Sequence, residues 1–277
     1  MVGNQLVREI VTRALNEDIG KGDITTESIF NRHHNSRGQI VCKEKGVIAG
    51  LNIARMVFSM VYPGVKLIGK FNEGDRIDDP PKILAEVEGP TLGMLQGERV
   101  ALNFLARLSG IATVTRRFVD KVKDFPVMIT DTRKTTPGLR LLEKYAVTVG
   151  GGVNHRFGLY DTPMIKDNHI RAAGGIKNAV EKVRQRIPFT VKIEVEASNL
   201  EEVEESLAVK VDIIMLDNMS LEDMKEAVKI IDGRALTEAS GGINLNNVRS
   251  IAATGVDFIS VGALTHKVKS LDISLDL

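Results

Sequence analysis

The residues best suited to chemistry lie between Asp131 and His169, where cationic side chains are concentrated among glycines and turn-forming residues. These side chains are Arg133, Lys134, Arg140, Lys144, His155, Arg156, Lys166 and His169. Because the whole chain has a formal net charge of only +1, this concentration favours a local anion site over a generally basic surface. The glycines Gly150–Gly152 would let backbone N–H groups approach a ligand closely. A solvated basic loop is the alternative, but it would not need these glycines. We therefore predict that the chain binds an anionic small molecule.

Composition excludes several other classes of function. The 277 residues contain 43% apolar and 26% charged residues, which is typical of a globular protein. Aromatic residues total 4% with no Trp, and the chain has no long basic stripe, so nucleic-acid binding is not expected. The one cysteine, Cys42, excludes an intramolecular disulfide and fits a packed strand position. The start of the chain has no continuous apolar run and no segment suits a membrane span, so we expect a cytoplasmic protein.

The first part of the chain predicts a small α+β domain that positions no identifiable chemistry of its own. Apolar residues from Leu6 to Leu15 recur at helical spacing, with Asn4 as a possible N-cap and Gly20 as the stop. The segments that follow are predicted as a strand over 39–49, a helix over 52–61, strands over 65–71 and 83–87, and a long helix over 91–122. Ser109-Gly110 is a candidate break in that long helix. The very end of the chain alternates apolar and polar residues from Leu271 to Leu277, which predicts a half-buried strand that returns to this domain.

The second part predicts parallel strands that alternate with helices. Buried strands are expected at 127–130, 191–195, 213–216, 235–239 and 258–261, with a poorly defined one at 164–166, and helices between them include 200–207, 221–230 and 245–253. The last four strands begin roughly 22 residues apart, about one unit of a (β/α) barrel. A doubly wound sheet is the competing architecture, but its glycine fingerprint G-x-G-x-x-G is absent from the sequence.

Polar groups follow each of these strands, at the end where a barrel places its active site. Ser240-Gly241-Gly242 and Gly262-Ala263 follow the last two predicted strands, a place where barrels commonly bind a phosphate. Tight turns alone are the alternative reason for these glycines. Glu196 and Asp217 follow two neighbouring strands and could hold ribose hydroxyls or Mg²⁺, since hard oxygen ligands suit that ion. Ion pairs with Lys166 and Arg156 are the other explanation, and the two roles need not exclude each other. His155 is a candidate for carboxylate recognition, whereas His169 could simply cap a local turn.

Long motifs from about Gly22 to His266 resemble quinolinate phosphoribosyltransferase. The motifs that carry the resemblance are GERVALNFLARLSGIAT, DTRKTTPGLR, GGGVNHRFGLYD, IKDNH, EVE, MLDNM, EASGGI and VGALTH. The resemblance implies a mixed α/β fold, with an N-terminal α/β sandwich domain and a C-terminal, open-faced, incomplete (β/α) barrel of about seven strands. The corresponding boundaries are 1–108 for the first domain, with 267–277 returning to it, and 109–266 for the barrel.

The resemblance also implies an activity and a set of site residues. Quinolinate and phosphoribosyl pyrophosphate would give nicotinate mononucleotide, pyrophosphate and CO₂ in NAD biosynthesis, with Mg²⁺ as cofactor. The implied ligands of the quinolinate carboxylates are Arg133, His155, Arg156 and Lys166. Those of the phosphoribosyl pyrophosphate are Lys134, Lys166, Glu196, Asp217, Ser240, Gly241, Gly242, Gly262 and Ala263, and Thr132 is a further implied substrate ligand. The roles of Arg133 and Lys134 could be exchanged. Lys134, Lys166, Glu196 and Asp217 form the catalytic set. Glu196 and Asp217 are also the implied metal ligands, through the substrate.

The resemblance implies an assembly as well: a homodimer with shared active sites, which is compatible with a hexamer built from dimers. Arg99 would enter the site of the partner subunit, although an ordinary ion pair with Glu98 is the simpler interpretation of that arginine alone. Two other functions stay open at this point. One is a related enzyme that uses another pyridine or another nitrogen nucleophile, and the other is a catalytically silent phosphate-binding or assembly protein on the same fold.

Overall fold

The computed structural model describes residues 5–277, so the predicted N-cap Asn4 lies outside the described residues. The elements in the first part of the chain are α1 (Gln5–Ile19), α2 (Ile24–Ile29), β1 (Asn35–Cys42), β2 (Gly46–Val47), α3 (Leu51–Val61), β3 (Lys66–Gly69), β4 (Arg76–Ile77), β5 (Lys82–Pro90) and α4 (Thr91–Val122). Those that follow are β6 (Met128–Thr130), α5 (Arg140–Val149), β7 (Met164–Ile165), α6 (Asp167–Ala173), α7 (Ile176–Arg184), β8 (Glu194–Ala197), α8 (Leu200–Ala208), β9 (Ile213–Asp217), α9 (Leu221–Ile231), β10 (Leu236–Ser240), α10 (Val248–Ala252), β11 (Phe258–Ser260), α11 (Ala263–His266) and β12 (Ile273–Asp276).

The chain forms two compact units. The first contains the described residues up to 116 together with 135–151 and 265–277, and the second contains 117–134 and 152–264. None of the helices among residues 5–277 combines the length and the apolar composition that crossing a membrane requires.

The first unit is organised around an antiparallel sheet in the order β12-β1-β5-β3. The predicted alternating strand at the end of the chain is confirmed as β12, which pairs with β1 so that Ile273 lies opposite Cys42. Cys42 is fully buried, as its packed strand position predicts. Helix α3 places Ile53, Val57 and Phe58 in the core of this unit, each at most 1% exposed.

Two predictions for the first unit are wrong. The expected strand over 39–49 is two strands, β1 and β2, separated by a short turn. The expected break at Ser109-Gly110 does not occur, since α4 is continuous. The hydroxyl of Ser109 instead donates to the carbonyl of Ala49 at 3.1 Å, and a Cβ at Gly110 would lie 2.4 Å from the carbonyl oxygen of Lys269. The two residues therefore allow neighbouring chain segments to approach the helix closely.

The second unit is built on six parallel strands in the order β6-β11-β10-β9-β8-β7. Strands β7 to β11 are neighbours in chain order, and the first strand, β6, pairs with the last, β11. A doubly wound sheet would reverse direction from a middle strand, so this cyclic order confirms the barrel and excludes the competing architecture. A single parallel bridge joins Thr130 to Val153 on the other side of β6. The bridge joins one residue pair and is not a strand, so the parallel sheet among residues 5–277 has six strands instead of the about seven that the resemblance implies.

Some boundaries in the second unit differ from those predicted. Strand β8 covers Glu194–Ala197, three residues later than the apolar run at 191–195 suggests. The amide of Ile193 donates to the Asp212 carboxylate at 2.7 Å, at the point where the preceding turn gives way to the strand. Helix α10 begins at Val248 because an asparagine turn precedes it, with the amide of Asn244 donating to the side chain of Asn247.

Candidate active site

The carboxyl ends of the parallel strands surround one cleft of about 460 Å³ in the second unit. The predicted site residues that line it are Thr132, Arg133, Lys134, His155, Arg156, Lys166, Glu196, Asp217, Ser240, Gly241 and Gly242. They come from the ends of β6, β7, β8, β9 and β10 and from the segment after Val153. Sequence reasoning thus brought together side chains that are more than 100 residues apart in the chain.

Two guanidinium groups concentrate positive charge on one side of this cleft. Arg156 is held by its donation from Nη1 to the carbonyl of Thr162 at 2.7 Å, while its Nη2 lies 3.7 Å from Sδ of Met164. Partial burial lowers the pKa of Arg156, and the neighbouring charge of Arg133 lowers it further. An anion bound between two guanidinium groups would relieve their mutual repulsion. This is the arrangement expected for carboxylate recognition.

The segment that presents His155 and Arg156 is fixed by a buried acid. Asp131, which directly follows β6, is fully buried, and its Oδ1 accepts a hydrogen bond from the backbone N–H of His155 at 2.9 Å. Backbone hydrogen bonds of Val153 also attach this segment to β6. Asp131 therefore helps to fix the backbone that carries His155 and Arg156.

Acidic side chains also line the cleft. Nζ of Lys166 contacts Oε2 of Glu196, so the ion pair considered from the sequence forms. The carboxylate of Asp217 accepts a hydrogen bond from Nδ2 of Asn218 at 2.7 Å. The second ion pair considered from the sequence, between Asp217 and Arg156, is not seen among the described residues, and Arg156 instead donates to the carbonyl of Thr162. Glu196 and Asp217 are both only partly buried, and their oxygens are available to hydroxyl groups or to a hard cation.

The loop after β10 has the backbone shape that its glycines predict. Gly241 and Gly242 have φ values of +93° and +61°, in the left-handed region that favours glycine. A Cβ at Gly241 would lie 2.2 Å from Oδ1 of Asn218, so no other residue fits there without a shift. Side chains of Asn244 and Asn247 donate to the carbonyl of Gly242 and brace the loop.

Other predicted residues lie outside the lining of the cleft. Gly262 and Ala263 follow β11, and Ala263 begins helix α11. Arg99 is an exposed residue of α4 whose Nη2 lies 3.6 Å from Oε1 of Glu98, the ion pair considered as its alternative. His169 caps the start of α6, because its Nδ1 accepts the backbone N–H of Lys166 at 3.0 Å.

The structure also gives part of the cationic stretch a different role. Arg140 and Lys144 lie on α5 in the first unit, away from the lining of the cleft, and Lys144 is fully buried. Gly150 permits close packing on helix α4, since a Cβ there would lie 2.6 Å from the carbonyl oxygen of Ala112. The prediction that this glycine serves a bound anion is therefore wrong.

Sequence reasoning gave no site role to two carboxyl groups that contact His155. Glu194 and Glu238 are 0% and 3% exposed, and both contact Nε2 of His155. Burial lowers the pKa of His155, but hydrogen bonds with Glu194 and Glu238 outweigh this effect and raise it to about 10. Burial raises the pKa of Glu194, partly offset by His155. Strand alternation was the available signal, since each glutamate stands two residues before a predicted site residue and so shares its face of the strand.

Comparisons with known proteins agree with this geometry. Residues 23–109 match the N-terminal domain of quinolinate phosphoribosyl transferase, and residues 111–276 match its C-terminal domain. The chain belongs to the quinolinate phosphoribosyltransferase family. It is 46% identical to a probable nicotinate-nucleotide pyrophosphorylase (carboxylating) of Bacillus subtilis, over 98% of this chain and 93% of that one.

Solved structures of family members have the same fold. The crystal structure of NadC from Streptococcus pyogenes matches with a TM-score of 0.94 and 43% identity, covering 98% of this chain and 95% of that one. The nicotinate-nucleotide pyrophosphorylase of Francisella tularensis matches with a TM-score of 0.95 and 40% identity, covering 100% and 97% of the two chains. These matches confirm the predicted family and fold class, a mixed α/β protein with a parallel sheet and a separate antiparallel sheet.

Proposed function

We propose that this member of the quinolinate phosphoribosyltransferase family converts quinolinate and phosphoribosyl pyrophosphate into nicotinate mononucleotide, pyrophosphate and CO₂, in the biosynthesis of NAD. The observation that carries this proposal is the cleft in which Arg133, Lys134, His155, Arg156 and Lys166 meet. A dicarboxylate and a polyphosphate are both anionic, so a site for the pair needs several cations in a small volume.

The substrates would occupy different parts of the cleft. Arg133, His155, Arg156 and Lys166 would hold the two carboxylates of quinolinate through charge-assisted hydrogen bonds. Lys166 would also contact the phosphoribosyl pyrophosphate, together with Lys134, Glu196, Asp217, Ser240, Gly241, Gly242, Gly262 and Ala263. Thr132 would be a further substrate ligand. The amides around Gly241 and Gly242 would bind its 5′-phosphate, as backbone N–H groups of such loops do.

Catalysis would consist of positioning and electrostatic stabilisation. The ring nitrogen of quinolinate forms a bond to C1 of the ribose while the bond from C1 to pyrophosphate breaks, through a transition state with positive charge on the sugar. Glu196 and Asp217, at the ribose, would stabilise that charge, and Lys134 and Lys166 would stabilise the leaving pyrophosphate. The carbon–carbon bond to the 2-carboxylate then breaks, its electron pair is stabilised by the quaternised ring nitrogen, and the ring carbon takes up a proton. A covalent enzyme nucleophile is not needed.

We also propose Mg²⁺ as the cofactor, held by Glu196 and Asp217 through the substrate. Both carboxylates line the same cleft and offer the hard oxygen donors that Mg²⁺ prefers. When bound, the ion would neutralise charge on the pyrophosphate group.

The assembly proposed is a cytoplasmic homodimer, compatible with a hexamer built from dimers, in which Arg99 completes the site of the partner subunit. Two observations support that role for Arg99: its side chain is 63% exposed, and its ion pair with Glu98 is long at 3.6 Å. The domain boundaries proposed are 1–108 with 267–277, and 109–266 for the barrel.

Substrate discrimination tests this function. Purified protein with phosphoribosyl pyrophosphate and Mg²⁺ should release pyrophosphate with quinolinate but hardly with nicotinate, which lacks the 2-carboxylate. Equal turnover of the two pyridines would refute the assignment and favour a related enzyme with another nucleophile. Release with neither pyridine would favour a silent phosphate-binding protein.

A further inference from the structure

Three ionisable side chains meet at the base of the cleft, and only His155 has a role in the proposed reaction. Glu194 begins β8 and Glu238 lies in the middle of β10, the two strands that flank β9. Nε2 of His155 lies 3.3 Å from Oε2 of Glu194 and 3.3 Å from Oε2 of Glu238. One ring nitrogen thus lies between two carboxyl groups contributed by different strands.

The burial of both glutamates indicates a functional reason for their presence. The side chain of Glu194 is 0% exposed and that of Glu238 is 4% exposed. Among residues 5–277, Oε1 of Glu194 shares a hydrogen bond with Nε2 of His155 at 3.4 Å, whereas Oε2 of Glu194 and Oε1 of Glu238 make none. Removing two carboxyl groups from water is costly unless a cation compensates them, and apolar side chains of similar volume are often at least as stable in such positions. A barrel interior selected for stability alone would not contain this pair.

The ring of His155 is fixed at more than one point. Its backbone N–H donates to Asp131, and its Nδ1 lies 2.7 Å from the backbone N–H of Arg156. With Nε2 held by the two glutamates, the ring has little freedom to rotate, and the residue still lines the cleft.

We propose that Glu194 and Glu238 are positioning residues, which hold the imidazole of His155 by its Nε2 edge so that the ring faces a carboxylate of the pyridine substrate. This inference rests on the proposed function, because it takes the ligand of His155 to be the quinolinate dicarboxylate. Neither glutamate needs to touch the substrate for this role. Both act through the orientation and the charge of His155.

The charges around the ring support this role. The charged groups that face His155 are Asp131, Arg133, Arg156, Glu194 and Glu238. Burial alone would lower the pKa of His155, yet the hydrogen bonds with the two glutamates raise it to about 10. The backbone N–H of Arg156, which donates to Nδ1, has the opposite effect on the pKa of His155, because a hydrogen-bond donor favours an unprotonated ring nitrogen. The two carboxyl groups outweigh one uncharged amide in their effect on the pKa of His155.

The first test measures His155 directly, without turnover. NMR titration of the histidine ring signals, with His155 assigned by its absence in His155→Gln, should give a wild-type midpoint well above 6.5. Glu194→Gln and Glu238→Gln should each lower the midpoint by more than about one pH unit, because each removes a charge in direct contact. Glu238→Asp, which keeps the charge, should retain most of the shift. Glu204→Gln, a change at an exposed residue of α8, is the matched control and should leave the midpoint unchanged.

The second test separates a positioning role from a merely structural one. In Glu194→Gln and Glu238→Gln the KM for quinolinate should rise about tenfold or more, since each weakens a charge-assisted contact. The KM for phosphoribosyl pyrophosphate should stay within about twofold, and the alkaline limb of the pH profile for quinolinate should move to lower pH. A general loss of folding would change both KM values and would not move the profile.

The outcomes distinguish this inference from the proposed function. A wild-type midpoint near 6.5 overturns the positioning role, and so do Gln variants that leave both the midpoint and the quinolinate KM unchanged. The wild-type measurement needs no substitution, so it decides the question even if a variant does not fold. A raised midpoint that falls in the Gln variants, in a protein that turns over no quinolinate, overturns the proposed function and leaves the geometry of His155 intact.

Discussion

Replacement of Arg156 by alanine should reduce the catalytic efficiency with quinolinate far more than it reduces stability. In the structure the guanidinium is already oriented by its bond to the carbonyl of Thr162 at 2.7 Å. Binding a carboxylate therefore requires little further ordering of this side chain. Partial burial lowers the pKa of Arg156, and the neighbouring charge of Arg133 lowers it further.

The size of the effect follows from the hydrogen bonds that the substitution removes from the bound carboxylate. A hydrogen bond to a charged group contributes about 1.5–3 kcal/mol, and a guanidinium that donates two of them to one carboxylate contributes roughly 3–6 kcal/mol. At about 1.4 kcal/mol per factor of ten, kcat/KM for quinolinate should fall by roughly 10²–10⁴. The cost in stability is limited to the bond with Thr162, about 1 kcal/mol.

The assay follows pyrophosphate release at varied quinolinate concentration, with thermal unfolding as the measure of stability. Arg156→Lys keeps the charge but loses the planar fork, so it should fall between wild type and Arg156→Ala. Arg171→Ala, at an exposed arginine on α6, is the matched control and should behave as wild type. A kcat/KM for Arg156→Ala within threefold of wild type, in a folded protein, would refute the assignment of this arginine to the carboxylate.

Three further predictions concern the assembly, the chain end and the effect of pH. The Arg99→Ala and Lys134→Ala proteins should each be inactive, but unfolded and refolded together in equal amounts they should recover roughly a quarter of wild-type activity. About half of the dimers are then mixed, and each mixed dimer has one intact site out of two. Mixed dimers that form, as shown by tagged pull-down, but have no activity would contradict the shared site. Deletion after Lys269 removes β12 and two buried apolar side chains, so the unfolding midpoint should fall by roughly 10 °C or more, and an unchanged midpoint in calorimetry would contradict this. The pKa of His155 is raised from 6.5 to about 10, so its contribution to stability is complete below pH 6.5 and disappears as the pH rises through 10. Urea denaturation should therefore show a larger loss of unfolding free energy between pH 7 and pH 10 for wild type than for His155→Gln, and equal losses would contradict the raised pKa.

The sequence predicts the cleft well because its chemistry follows strand order. The carboxyl ends of parallel strands lie at one edge of the sheet. The polar residues after β6, β8, β9 and β10 therefore lie close together, however the rest of the protein packs. The cyclic pairing of β6 with β11 could not be derived in the same way, since it depends on the twist and closure of the sheet.

The parts that sequence reasoning missed depend on contacts between distant residues. Glu194 and Glu238 lie in strands whose sequences are mostly apolar. Only their contacts with His155 explain why two carboxyl groups are buried there. Gly110 and Gly150 resemble a helix break and an anion loop in the sequence. In the structure each glycine allows the backbone of another chain segment to pack closely against it. The sequence around a glycine does not show which distant segment packs there.

The proposed reaction is best tested by the stoichiometry of the products from quinolinate labelled in its 2-carboxylate. We expect one labelled CO₂ and one nicotinate mononucleotide for each pyrophosphate released, with all three dependent on phosphoribosyl pyrophosphate. Pyrophosphate release without labelled CO₂, or CO₂ release without phosphoribosyl pyrophosphate, would contradict the proposed reaction.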